Sequence, residues 1–177
     1  MKTLGIDLSL NHTGWVLLQD TTVLTFGLIQ PKMRGIERLV YIKNEFVKVI
    51  EKCGIIDTVV LESYSFGAKG RAVFQIGELG GVIKVLLAEN GHTPYLVAPL
   101  TLKKFATGHG KGDKQLMLKE VFRKWAFDTS NNNLADAYAL ARFGLAIQNK
   151  DSLEMLNYEK ECVNKVLETF QIEDEKM

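Results

Sequence analysis

Apolar and polar positions alternate with a period of two at the start of the chain, so that residues 3–9, 14–18 and 22–29 read as β-strands. His12-Thr13-Gly14 and Gln19-Asp20-Thr21 supply the turns of an antiparallel meander. The period then changes: from 34 to 52, Ile36, Leu39, Val40, Phe46, Val47 and Ile50 follow helical spacing, and Gly54 is placed to end the helix. Residues 57–62, with the run Val59-Val60-Leu61, predict a short strand buried on both faces inside a sheet that helices cover. A loop over 63–69, a helix over 71–89, a strand over 94–98, a helical turn over 99–106 and an amphipathic helix over 113–125 with Asp113 as its acidic cap come next. Asn131-Asn132-Asn133 opens a helix with Leu134, Ala137, Leu140, Ala141 and Leu145 on its apolar face. Beyond Lys150, Leu153, Leu156, Val163, Val166, Leu167 and Phe170 predict a further amphipathic helix before the charged tail Glu173-Asp174-Glu175-Lys176. The pattern is that of an α/β fold.

Gly77, Gly80 and Gly81 fall inside the helix predicted over 71–89, where each costs about 1 kcal/mol against alanine. Something therefore comes close to them: the sheet, a twin helix, or a nucleic-acid backbone. A length of 177 residues suits one domain with a sizeable core and a small appendage, and 46% apolar with 24% charged residues is ordinary globular usage. The stretch before Asp7 is too short for a signal peptide and no run reaches about twenty apolar residues, so a soluble, cytoplasmic protein with no membrane partner is expected. Cys53 and Cys162 are far apart and lack metal-ligand spacing, which predicts reduced, incidental thiols and no zinc site.

The formal net charge of +1 neither requires nor excludes a polyanionic partner, but Lys103, Lys104, His109, Lys111, Lys114 and Lys119 cluster around Gly108, Gly110 and Gly112. This reads as a flexible basic loop, either for phosphates or simply solvated. Three carboxylates interrupt apolar runs: Asp7 in Gly5-Ile6-Asp7, Glu62 in Val60-Leu61-Glu62, and Asp136 in Ala135-Asp136-Ala137. Charges in such settings are costly unless a cation or hydrogen bonds stabilise them, and an all-oxygen set suits Mg²⁺ or Mn²⁺ and hence phosphate chemistry. Singly, each has a plainer role: a turn or cap for Asp7, a solvated strand end for Glu62, an ion pair with Arg142 for Asp136. Ser9 and Thr13 fix a turn by local hydrogen bonds, since no histidine is placed to activate them, which makes a serine hydrolase an improbable alternative. Tyr64, Phe66 and Phe74 flank the Glu62 loop and either stack on unpaired bases or pack in the core.

The order meander, helix, strand, helix, strand, helix, with carboxylates on the first strand, the fourth strand and a late helix, resembles the ribonuclease-H-like fold. Within it, the chain is similar to the RuvC-type Holliday-junction resolvases. Gly5-Ile6-Asp7 with Thr13-Gly14-Trp15 resembles that family's opening, Val60-Leu61-Glu62 its second motif, Thr101-Leu102-Lys103 with Thr107-Gly108 and Gly112-Asp113-Lys114 its basic segment, and Ala135-Asp136-Ala137 its close.

The resemblance implies a central mixed five-stranded sheet flanked by helices, a nuclease domain over 1–148, and a C-terminal helical extension and charged tail over 149–177. It implies a homodimer that resolves branched DNA by paired symmetric nicks. Two Mg²⁺ (or Mn²⁺) ions are implied, bridged by Asp7 and flanked by Glu62 and Asp136. Lys114, and secondarily Lys103, are implied to stabilise charge on the phosphate, with Tyr64, Phe66, Lys69, Arg71, Lys104, His109 and Lys111 as DNA contacts. The departure is Asn133, where the family usually has Asp or His: its amide oxygen can ligate a hard cation but brings no charge, and nothing in the spacing recommends Asp128 as a substitute. A divergent, phage-borne or mobile-element branch is one explanation.

Other functions make different predictions. A nuclease acting on flaps, forks or RNA would share this site. An actin-like ATPase relative needs a second Gly-rich phosphate loop and a duplicated domain that the chain lacks. A non-catalytic nucleic-acid-binding module, which Asn133 keeps open, would bind without cutting in Mg²⁺.

Overall fold

The computed structural model describes residues 1–63, 71–110 and 114–174. Tyr64, Phe66, Lys69, Lys111 and Asp113 lie outside these residues, as do the side chains of Arg71 and Lys114. Strands β1 (Lys2–Asp7), β2 (Thr13–Gln19) and β3 (Thr22–Ile29) form the antiparallel meander. Helix α1 (Gly35–Cys53) leads to β4 (Thr58–Glu62), and α2 (Arg71–Glu89) to β5 (Tyr95–Val97), with β4 parallel to both β1 and β5. The sheet order is β3-β2-β1-β4-β5, mixed and five-stranded as expected. Helices α3 (Pro99–Thr107), α4 (Lys114–Trp125), α5 (Asn132–Gln148) and α6 (Asn157–Asp174) complete the described elements.

Strand alternation divides the core in two. Leu4, Ile6, Trp15, Leu17, Val59 and Leu61 join α1 and α2 on one side. Val16, Leu18 and Val60 join α3, α4, α5 and α6 on the other. Helix α6 is part of this second layer through Cys162, Val163 and Val166, and its Phe170 ring lies 4.4 Å from that of Tyr95 on β5. Cys53 and Cys162 are buried free thiols. Among the described residues no helix is long and apolar enough to cross a membrane.

Several elements differ from the sequence expectation. Strand β2 begins at Thr13, one residue before the expected strand over 14–18. The Thr13 hydroxyl donates to Ser9 C=O (2.6 Å) and accepts from Ser9 N–H (3.1 Å), closing the turn one step earlier. Helix α3 is a full nine residues, because Pro99 pre-sets its first turn and Gly108, at φ +78°, closes it by donating to Lys104 C=O. Helix α6 begins at Asn157, later than the apolar spacing implied, and Glu159 fixes that start by accepting the Leu156 N–H at 2.8 Å. Gly77 and Gly81 do not meet the sheet: among the described residues nothing lies within 4 Å of where a Cβ would stand. Phe74 is 76% exposed, so core packing does not account for it.

Candidate active site

Asp7 and Glu62 end two adjacent parallel strands at the centre of the sheet. The register Thr3↔Thr58, Gly5↔Val60 continues by one step beyond Ile6↔Leu61 to Asp7 and Glu62, on the face that α5 covers. Helix α5 lies close because of glycines. A Cβ at Gly5 would collide with the Ala137 carbonyl and the Ala141 backbone, and one at Gly14 with the Asn133 carbonyl. Gly144, from the helix side, leaves room for methyl groups of Thr3, Val60 and Thr58. Asn131 starts the helix by accepting Leu134 N–H on its side chain at 3.2 Å. This seating brings the first turn of α5 over the end of β1.

Electrostatic coupling shows which groups meet. Asp7, only 5% exposed, titrates well above the ordinary carboxylate range: burial is the main cause, then the Glu62 and Asp136 charges and a hydrogen bond with Glu62, while a hydrogen bond donated by Asn133 acts in the opposite direction. Glu62 is pushed up to about 7 by burial and by Asp136, against the lowering effects of its hydrogen bond with Asp7 and of the Lys103 charge. Asp7 and Glu62 share a hydrogen bond, and burial raises both carboxyls. Asp7, Glu62, Asp136, Asn133 and Lys103 are thus gathered in one place.

Among the described residues no three His, Cys, Asp or Glu side chains are so placed that they could together hold a metal ion. What is present is an all-oxygen set of carboxylates and one amide whose mutual repulsion a hard divalent cation would relieve, and this fits Mg²⁺ or Mn²⁺.

The remaining predicted residues lie around this centre or apart from it. Lys104 forms a 2.6 Å ion pair with Glu161 of α6. His109 is exposed just past α3, its backbone N–H donated to the Thr107 hydroxyl. Arg142 faces the Trp125 ring at 5.3 Å and hydrogen-bonds Tyr138. Asp128 is exposed. Sequence reasoning missed the role of Gly5, Gly14 and Gly144; a glycine inside the strand-like run Leu4-Gly5-Ile6 was the available signal of close backbone approach.

A mixed sheet flanked by helices, with carboxylates on adjoining strand ends, defines a ribonuclease-H-like nuclease. Residues 3–143 match the family model of the crossover junction endodeoxyribonuclease RuvC, and the chain belongs to that family. The RuvC of Rhodopseudomonas palustris is 31% identical over 150 residues, covering 80% of this chain and 84% of that protein. The Thermus thermophilus RuvC structure superimposes with a TM-score of 0.71 at 21% identity, over 85% of this chain and 97% of its own. The same protein in complex with Holliday junction substrate gives 0.68 at 23% identity, over 80% and 90%.

Proposed function

We propose that this chain resolves four-way DNA junctions as a structure-selective endonuclease, cutting by paired symmetric nicks with Mg²⁺ or Mn²⁺ held by Asp7, Glu62 and Asp136 and by the neutral Asn133. The observation that carries this reading is that Asp7 and Glu62, at the ends of the two central strands, are both raised by burial and by the Asp136 charge, in a chain of the RuvC family. Bound divalent ions supply an activated water and offset charge on the phosphodiester. The chain's own groups do the rest. Asp7 is fixed by the Asn133 amide and by the α5 backbone packed on Gly5. Half-buried Lys103 sets a positive charge beside Glu62, suited to stabilising charge that develops on the scissile phosphate. Lys114, first residue of α4, belongs to the same basic segment, with Lys104 and His109 as backbone contacts.

A homodimer matches the two-fold symmetry of a four-way junction. Helix α2 offers a face for a second copy, with Phe74 and Val85 exposed and Gly77 and Gly81 between them.

The test is incubation of purified protein with a synthetic four-way junction, a flap and a linear duplex, with and without Mg²⁺ or Mn²⁺. Paired nicks in the junction alone, abolished in Asp7→Asn and Glu62→Gln, are expected. Equal cutting of all three DNAs would remove junction selectivity while leaving a nuclease.

A further inference from the structure

Helix α6 lies beyond the residues matched by the family model, yet its first turn holds the helix that carries Lys103. The centre of this contact is Lys124 of α4. Its Nζ donates to the Tyr158 hydroxyl (2.7 Å), to a Glu159 carboxylate oxygen (3.0 Å) and to the Phe105 carbonyl of α3 (3.3 Å). Lys124 and Glu159 are only 13% and 14% exposed, so the ion pair between them is largely withdrawn from water. The other oxygen of Glu159 accepts the Leu156 N–H, so one carboxylate both starts α6 and pairs with Lys124. The Tyr158 ring lies 3.7 Å from where a Cβ on Gly108 would be, and Glu161 pairs with Lys104 at 2.6 Å. Positions 104, 105 and 108 of the α3 segment are therefore held by α4 and α6, directly after Lys103.

We propose that Lys124, Tyr158 and Glu159 are positioning residues: together they clamp the end of α3 and thereby set the Lys103 ammonium opposite Glu62, which tunes the rate of strand cutting. The proposal rests on the active-site role given to Lys103 above. It adds a function for a helix whose burial alone would make it a strut. A strut needs apolar contact only, whereas here Tyr158 and Glu159 hold the Lys124 ammonium, which in turn donates to the Phe105 carbonyl two residues after Lys103.

The experiment compares Glu159→Gln and Tyr158→Phe in the wild-type and Lys103→Ala backgrounds. It reads single-turnover cutting at saturating junction in Mg²⁺, junction affinity in Ca²⁺, and the thermal midpoint. Each clamp variant is expected to cut about tenfold more slowly at saturation, with affinity little changed, and to add no further loss to Lys103→Ala. Wild-type rates in the folded clamp variants, or losses that multiply with that of Lys103→Ala, would overturn the clamp. If Glu159→Gln fails to fold, Tyr158→Phe, which removes a single hydroxyl, decides by the same comparison. A wild-type rate for Lys103→Ala would strike the role of Lys103 itself and the clamp with it; sensitivity to Lys103 with indifference to 158 and 159 removes the clamp alone.

Discussion

Asp7 keeps a carboxyl group almost wholly out of water beside two others, an arrangement that favours binding a cation over folding without one. Its consequence for stability has a definite sign. Folding raises the pKa of both Asp7 and Glu62, so below the ordinary value of about 4 the folded and unfolded chains are equally protonated and the pair is neutral in effect. As pH rises from there toward about 7, where Glu62 titrates in the fold, the unfolded chain gives up protons that the folded chain retains, and stability falls. Chelated protein should lose roughly 1–3 kcal/mol between pH 5 and pH 8, seen as a falling thermal midpoint, and Mg²⁺ or Mn²⁺ should restore it. Glu62→Gln should flatten this slope and raise the midpoint of the chelated protein at pH 8 while abolishing cutting. A flat profile for the chelated wild type would contradict the coupled carboxylates.

Helix α5 owes its place to what its neighbours lack. Gly5→Ala would put a methyl group into the Ala137 carbonyl and the Ala141 backbone, neither of which can move without shifting the helix. A loss of about 2–4 kcal/mol in denaturant unfolding is expected, with junction cutting reduced as Asp136 moves from Asp7; wild-type stability would show that α5 is not seated as described. Much of this was legible in the chain. Alternation announced the first strand, but the reading over 3–9 left Asp7 inside a strand that in fact ends there; the apolar run Val59-Val60-Leu61 put Glu62 at the carboxyl end of its strand, and three asparagines marked the start of α5. What escaped was whatever depends on partners far apart in sequence. Lys124 looks like any cation on an amphipathic helix, and nothing near it announces Tyr158 and Glu159, 34 and 35 residues on. The start of α6 was misjudged for a related reason: Leu153 is apolar because it packs against the core from a turn, not because it belongs to the helix. Glycines 77 and 81 were rightly taken as odd, but the sheet is not what they face.

For the molecule as a whole, a net charge of +1 gives little long-range attraction to DNA, so recognition falls to local cations around the acidic centre and to symmetry. If α2 joins two copies, Phe74→Glu should shift the protein from dimer to monomer in sedimentation equilibrium and turn paired nicks into single, uncoordinated ones; an unchanged mass would exclude this face. The centre itself is drawn from widely separated stretches: β1 opens the chain, β4 follows, and the last carboxylate comes on α5, after four intervening helices. A ribosome making this protein has therefore released nearly the whole sheet before the residue that completes the centre has been synthesised. On this reading the emerging polypeptide passes most of its synthesis as a harmless scaffold, and becomes able to cut DNA only once that late helix has docked.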